Sequence, residues 1–260
     1  MSSIIDPIIA NVLAVQIKLY ACRARLEDET DPEALHDLRT NVRRLRTLLR
    51  PLRELPGVTA VEQSAKALGQ LTTPLRDREV LAAHLAEAGL TAPAQRRVAA
   101  MRGVYGQVAR SAPLGDLLSA LDRLPGFLRA AQRQKLTQGL RKHIRKRLAR
   151  QWKKLSDALQ DPAHDRHELR LLVKRVRYGV EAYPQLETLS DRGYQHLKKA
   201  QGALGDWHDN WQWLLQAEQE DDLQPCVRQW TQALHDAEKK ADRVVERMAA
   251  NVLKKGSAQR

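Results

Sequence analysis

The sequence predicts an all-α protein built from a duplicated helical unit, and three observations support that prediction. Apolar residues recur at three- and four-residue spacing along almost the whole chain, as they do in amphipathic helices. Leu, Ala, Arg, Glu and Gln dominate, and no alternating run of β-branched residues indicates a strand. A cation-rich segment that begins at His36 recurs at His167. We therefore expect one four-helix unit in each half of the chain.

Proline, glycine and helix-capping residues divide the chain into its predicted elements. In the first half the predicted helices span residues 6–28, 32–54, 58–72, 75–88, 93–110 and 113–123. Pro125 and Gly126 mark a break. The second half is predicted to hold helices at 127–160, 164–183, 189–219 and 224–254. The internal repeats are accordingly placed at approximately 4–123 and 127–255.

The composition predicts a soluble protein with an anionic partner. The 260 residues include 44 Lys or Arg and 31 Asp or Glu, so the formal net charge is +13. A hydrophobic fraction of 43% suffices for a core and excludes collagen-like and low-complexity chains. Two cysteines without metal-ligand spacing indicate a reducing compartment. Because the apolar run at 8–17 is too short to span a bilayer, we expect a cytoplasmic protein that does not use a membrane.

The two halves share one motif at an offset of 131 residues. Residues 36–46 read HDLRTNVRRLR, and residues 167–177 read HELRLLVKRVR. The histidine, acidic, apolar and cationic positions keep their chemical type in both copies, which indicates a duplication. A weaker correspondence, at an offset of 132, aligns LRD at 75–77 with WHD at 207–209.

On a helical wheel the motif separates into an apolar stripe and an adjoining cationic stripe. In the first copy the apolar stripe comprises Leu35, Leu38, Val42, Leu45, Leu49 and Leu52. The cationic stripe beside it comprises His36, Arg39, Arg43, Arg46 and Arg50. In the second copy the cations are His167, Arg170, Lys174 and Arg177, beside Leu169, Val173, Val176 and Val180.

The cationic stripe of the first copy is typical of a site for an extended polyanion. No acidic residue occurs from Arg39 to Arg53, whereas a solvated helix face normally mixes charges of both signs. Arginine predominates, and its guanidinium group suits bidentate contact with phosphate oxygens. The stripe extends about 21 Å along the helix axis, which is more than a single phosphate needs.

A third basic segment runs from Arg133 to Lys154 and contains ten Lys or Arg residues and no acidic residue. Its apolar face comprises Leu140, Ile144, Leu148, Trp152 and Leu155. We expect Arg141, Lys142 and Arg145 to add charge to the anion site. By charge alone, a phosphate chain and a nucleic acid are both suitable ligands for these surfaces.

Both motifs, together with LKKAQGALGDWHD at 197–209, resemble those of the CHAD domain, the conserved histidine α-helical domain. The resemblance covers essentially the whole chain, as one domain at 1–260. It implies two four-helix bundles with pseudo-two-fold symmetry and a central basic groove. It also implies binding of inorganic polyphosphate and association with polyphosphate granules, as in members of the family. No E-x-E-x-K triphosphatase motif occurs, so a stand-alone CHAD protein is expected.

The resemblance assigns polyphosphate binding to residues of both motifs and of the segment at 197–209. They are His36, Arg39, Arg43, Arg44, Arg46, His167, Arg170, Lys174, Arg175, Arg177, Lys198, Lys199 and His208. The charge pattern adds Arg50, Arg141, Lys142 and Arg145. The sequence departs from the family pattern at Thr72 and Thr73, where Leu-Gly is usual.

Catalysis and metal binding are not expected. No nucleophile–base–acid set, glycine-rich phosphate loop or repeated carboxylate pair stands out, so we predict a binding protein without cofactor or metal. Asp77 and Asp209 are predicted either to pair with Lys or Arg or to stop a helix. The tryptophans of the second half are interpreted as core residues that do not interleave with the cationic stripe. They are Trp152, Trp207, Trp211, Trp213 and Trp230.

Overall fold

The computed structural model describes residues 4–29, 31–161, 163–186 and 189–257, and over these ranges it contains helices and no strands. The all-α prediction is therefore confirmed. The helices are α1 (Ile5–Glu27), α2 (Ala34–Leu49), α3 (Val58–Glu87), α4 (Thr91–Ala99), α5 (Val104–Ala109), α6 (Ala112–Arg133), α7 (Leu140–Gln160), α8 (Arg166–Ala182), α9 (Asp191–Ala217) and α10 (Val227–Ser257). Short 3-10 turns lie at Arg50–Leu52, Pro184–Leu186 and Asp221–Cys226.

The chain divides into two compact units, Met1–Ile144 and Arg145–Arg260, so the division falls within α7. In the first unit α2 packs against α1 and α3, and α6 packs against the same two helices. In the second unit α9 packs against α8 and α10. The predicted duplication, with its central groove, stays a prediction.

The apolar stripe of α2 forms part of the core of the first unit, as predicted. Its members are all buried: Leu35, Leu38, Val42, Leu45, Leu49 and Leu52. In α8 the corresponding Leu169, Val173 and Val176 are buried in the core of the second unit. Because burial of each apolar stripe is favourable, it sets the rotation of α2 and α8 about their axes. That rotation determines which side chains of the motif reach solvent.

α1 agrees with the helix predicted at 6–28 and is longer than the apolar run at 8–17. It has 23 residues, with a mean hydropathy of 1.4 over its most apolar window, so by length and composition alone it is capable of crossing a membrane. Ile5, Ile8, Val12 and Leu19 are nevertheless buried in the first unit, where α1 contacts α2, α5 and α6. This packing is that of a core helix.

The predicted break at Pro74 was wrong, because α3 continues through this proline. Proline cannot donate to the carbonyl four residues earlier, and its ring crowds that turn of the helix. Leu68 and Leu81 are buried on either side of Pro74, so both halves of α3 contribute to one core. Burial therefore outweighs the local cost of the proline.

Two further boundaries differ from those predicted from proline and glycine. α6 continues through Pro125 and Gly126, since Leu121, Leu124 and Leu128 are buried on both sides of them. The break lies instead between α6 and α7, where Lys135 and Gly139 have positive φ. The predicted helix at 93–110 is interrupted near Gly103, whose φ of 74° does not suit a right-handed helix.

Candidate anion-binding sites

α2 presents a row of exposed cationic side chains beside its buried stripe. Those that reach solvent are His36, Arg43, Arg44 and Arg46, followed by Arg50 in the 3-10 turn after the helix. Arg39 belongs to the same row but is only partly exposed. Because the apolar face of α2 is buried in the core, these residues lie on the part of the helix surface that remains exposed to solvent.

Arg39 is held by the turn of α3 that precedes Pro74. Its Nη1 atom donates to the hydroxyl oxygens of Thr72 and Thr73, at 3.0 Å in each case, and lies 3.4 Å from the carbonyl oxygen of Gly69. The Thr73 hydroxyl itself donates to that carbonyl at 2.7 Å. The Thr-Thr departure from the family pattern therefore supplies hydroxyl partners for Arg39.

Asp77 lies close enough to Arg39 to stabilise its charge. Burial lowers the pKa of the Arg39 guanidinium, and the field of Asp77 opposes that shift. Burial likewise raises the pKa of the Asp77 carboxyl, while Arg39 and Arg76 lower it. The structure thus supports a pairing role for Asp77, since its charge offsets a partly desolvated cation.

A second acidic residue of α3 orients Arg76. The buried Glu79 carboxylate accepts a hydrogen bond from Arg76 Nη1 at 2.8 Å and another from the Tyr105 hydroxyl at 2.7 Å. Burial and the hydrogen bond to Glu79 both raise the pKa of Tyr105, so the phenol stays protonated and donates. Arg76 is therefore a fixed cation near Arg39.

In the second unit Arg170 occurs in a similar environment. It is partly buried, and burial lowers the pKa of its guanidinium while Asp209 opposes the shift. The repeat predicted from the sequence aligns Arg170 with Arg39 and Asp209 with Asp77. The same Arg–Asp combination is thus observed at both pairs of aligned positions.

Two histidines from different helices meet beside Arg170. His167 of α8 and His208 of α9 have ring centroids 5.2 Å apart, with their planes tilted by 50°. The Nδ1 atoms of both rings are buried and, among the described residues, lack a hydrogen-bond partner. The structure therefore brings together two predicted site residues that are 41 positions apart in the sequence.

The surroundings of His208 keep its ring neutral at physiological pH. Burial, followed by the positive charges of Arg170, His167 and Lys174, lowers the pKa of His208 to about 4. Each of these three residues belongs to the predicted cationic stripe of α8. His208 thus adds a polar, uncharged ring to a concentrated patch of positive charge.

Tryptophans line the outer side of this histidine pair. The Trp207 and Trp211 rings are parallel within 5°, with centroids 6.3 Å apart. Their centroids lie 6.2 and 5.9 Å from that of His208. The prediction that the tryptophans stand apart from the cationic stripe was wrong for these two, because the α8–α9 contact joins them to it. Trp230, in contrast, is buried as predicted.

Other predicted residues lie outside these clusters or already have partners. Arg177 is paired with Glu181 at 3.1 Å. Arg175 lines a cavity of about 440 Å³ together with carboxylates of Asp157, Asp161 and Glu168, so it does not extend the cationic stripe. The remaining predicted cations are exposed on α7 or α9: Arg141, Lys142, Arg145, Lys198 and Lys199.

The described residues contain no group of three His, Cys, Asp or Glu side chains positioned to hold a metal ion. The Nε2 atom of His164 lies 3.7 Å from the Oε2 atom of Glu168. Guanidinium groups, such as those exposed on α2, donate hydrogen bonds to phosphate oxygens.

The lowered pKa of His208 predicts a distinct titration. Histidine ring resonances followed by NMR should show His208 changing near pH 4, well below the ordinary value of about 6.5. Because the unfolded chain takes up this proton first, the free energy of unfolding should fall as pH drops from about 6.5 to 4. Arg170→Gln should raise the midpoint by removing a repulsive charge. A midpoint near 6.5 in the wild type would contradict this environment.

Comparison with known proteins agrees with the fold and the motifs. The sequence profile of the CHAD domain matches residues 14–218. A crystal structure of the CHAD domain from the plant Ricinus communis resembles this chain with a TM-score of 0.72 and 21% identity, over 96% of this chain and 92% of that one. No curated protein shows significant sequence similarity. With most of its length matched by the profile, the chain belongs to the CHAD domain family.

Proposed function

We propose that this protein binds inorganic polyphosphate through the cationic residues of α2 and α8, and that it acts as a binding protein without catalysing a reaction. Association with polyphosphate granules in the cytoplasm belongs to the same proposal. Membership of the CHAD family, which is associated with polyphosphate binding, supports the choice of ligand.

The main supporting observation is the partly buried arginine that lies within the field of a carboxylate in each unit. Arg39 is held by hydrogen bonds to two threonine hydroxyls and lies within the field of Asp77, and Arg170 lies within the field of Asp209. Holding a guanidinium in place before the ligand arrives reduces the entropy lost on binding. Partial removal from water also strengthens its interaction with an anion. Such residues suit the first phosphates of a chain.

The exposed cations of α2 suit the continuation of that chain. Arg43, Arg46 and Arg50 follow Arg39 at helical spacing, about 5 Å apart along the axis. Inorganic polyphosphate carries negative charge on every unit and no bases. It therefore follows a row of cations without needing space for bulky groups, which a nucleic acid requires.

The competing hypothesis is a nucleic-acid-binding module, and a competition titration separates the two. We expect long-chain polyphosphate to displace RNA and single-stranded DNA at equal phosphate concentration. The apparent affinity should fall steeply as salt rises, because counterions are released. Fluorescence anisotropy with a labelled oligonucleotide measures the displacement. If RNA binds more tightly than polyphosphate, the proposed ligand is wrong.

Neutral substitution of the two partly buried arginines tests the site. Arg39→Gln combined with Arg170→Gln should weaken polyphosphate binding about tenfold or more and make the salt dependence shallower by roughly two phosphate contacts. Glutamine avoids placing a new carboxylate beside Asp77 or Asp209. Calorimetric titration measures the affinity, and circular dichroism verifies that the helices persist.

The matched control is Arg102→Gln with Arg228→Gln, since both arginines are exposed and lie outside α2 and α8. This pair removes the same total charge. Equal weakening by both pairs would mean that net charge, and not the proposed site, determines binding.

The absence of turnover is tested with the ligand itself. After long incubation with the protein and Mg²⁺ or Mn²⁺, the chain length of polyphosphate should be unchanged on a denaturing gel. The physical reason is that the described site contains fixed cations but no nucleophile–base pair to activate water. Shortened chains that disappear when Arg170 is replaced would establish a hydrolase.

A further inference from the structure

Trp211 is a large aromatic residue that the second unit leaves at its surface. The side chain is 37% exposed, although Trp230 on α10 is buried. Trp211 lies one helical turn after Trp207, with the two rings parallel. An exposed indole ring offers a flat apolar face on which an aromatic ligand can stack, so the ring is a candidate contact surface.

The charge beside this aromatic pair distinguishes it from an ordinary apolar patch. His208 contacts both tryptophan rings, and it lies within the electrostatic influence of Arg170 and Lys174. A ligand stacked on Trp211 would therefore have cations one side chain away. Such an arrangement suits a molecule with a flat ring at one end and phosphates at the other.

His208 lies between the tryptophan rings and the cationic residues. Among the described residues, its Nδ1 atom has no hydrogen-bond partner. Because its pKa is lowered to about 4, the ring is neutral and has one donor and one acceptor nitrogen. A neutral imidazole at the boundary between ring and phosphates adds polarity without repelling the neighbouring cations.

The first unit lacks this combination. The positions aligned with Trp207, His208 and Trp211 hold Leu75, Arg76 and Glu79, and the last two form an ion pair. At these aligned positions the first unit therefore has no aromatic ring. The aromatic platform is a specific property of the second unit.

We infer that the α8–α9 face of the second unit binds a nucleoside polyphosphate, with the base stacked on Trp211 and the phosphates at Arg170 and Lys174. The inference rests on the proposed function only in that the same cations bind phosphate oxygens. A single nucleotide is favoured over a nucleic-acid strand, since the described residues show one aromatic pair at this cluster. Proteins that bind single strands stack successive bases on several aromatic side chains along a cationic groove.

The test compares adenosine triphosphate with inorganic tripolyphosphate, which has the phosphates but no base. Calorimetric titration of the full chain without divalent metal should show that Trp211→Ala weakens adenosine triphosphate binding about tenfold. The same substitution should change tripolyphosphate binding less than about twofold, because the cations are untouched. Trp211→Phe should retain most of the affinity, since a phenyl ring still stacks.

Leu215→Ala is the matched control. Leu215 lies one turn further along α9 and is also 37% exposed, but it has no aromatic ring on which a base could stack. We expect this variant to bind both ligands as the wild type does. Equal binding of the two ligands by the wild type, or an equal loss of both in Trp211→Ala, would overturn the inference.

The remaining outcomes separate this inference from the proposed function. If long-chain polyphosphate does not bind but adenosine triphosphate binds in a Trp211-dependent manner, the inference stands and the proposed function fails. If a single-stranded oligonucleotide binds more tightly than adenosine triphosphate at equal phosphate concentration, and loses that affinity in Trp211→Ala, the nucleotide inference is wrong and a strand is the ligand.

Discussion

The partial burial of one arginine in each unit is the constraint on which both candidate sites depend. Leu38 and Leu169 must enter the core, so the residues that follow them, Arg39 and Arg170, are drawn to the edge of a helix–helix contact. A cation in that position loses hydration and requires compensation. Carboxylates on the neighbouring helix provide it through their negative field.

The two units use this arrangement in different chemical settings. Around Arg39 the neighbours are threonine hydroxyls, and the nearby Arg76 is oriented by Glu79. Around Arg170 the neighbours are imidazole rings, with tryptophans beyond them. The first setting favours a ligand recognised by charge alone, whereas the second also offers aromatic surface. The partly buried arginine near a carboxylate thus occurs in both units with different neighbouring residues.

Much of the fold was predictable from periodicity, because the buried stripes of α2 and α8 follow the 3.6-residue repeat directly. The helix boundaries at the prolines were not predictable in this way. Pro74 and Pro125 both lie inside continuous helices, since buried leucines on each side hold the chain against one core. Local propensity is worth a few kcal/mol at such a residue, and burial of several leucines is worth more.

The candidate site was predictable only in part, for a related reason. The cationic residues of each motif were recognisable because they share one helix face. Asp77 and Asp209 were predicted either to pair with a cation or to stop a helix, but spacing along the chain did not reveal which arginine each lies near, because they are on other helices. The i, i+4 spacing of Trp207 and Trp211 was a usable signal, but it did not show whether that face would be buried.

The sequence by itself determined the helical class, the amphipathic division of α2 and α8, and the excess of 13 positive charges. These properties follow from residue type and helical period, which act locally. Only the tertiary structure decided that Arg39 and Arg170 are half-buried beside carboxylates, that Arg175 faces acidic residues, and that His208 lies against His167. Desolvation and charge pairing depend on distances between helices, and those distances are set by packing.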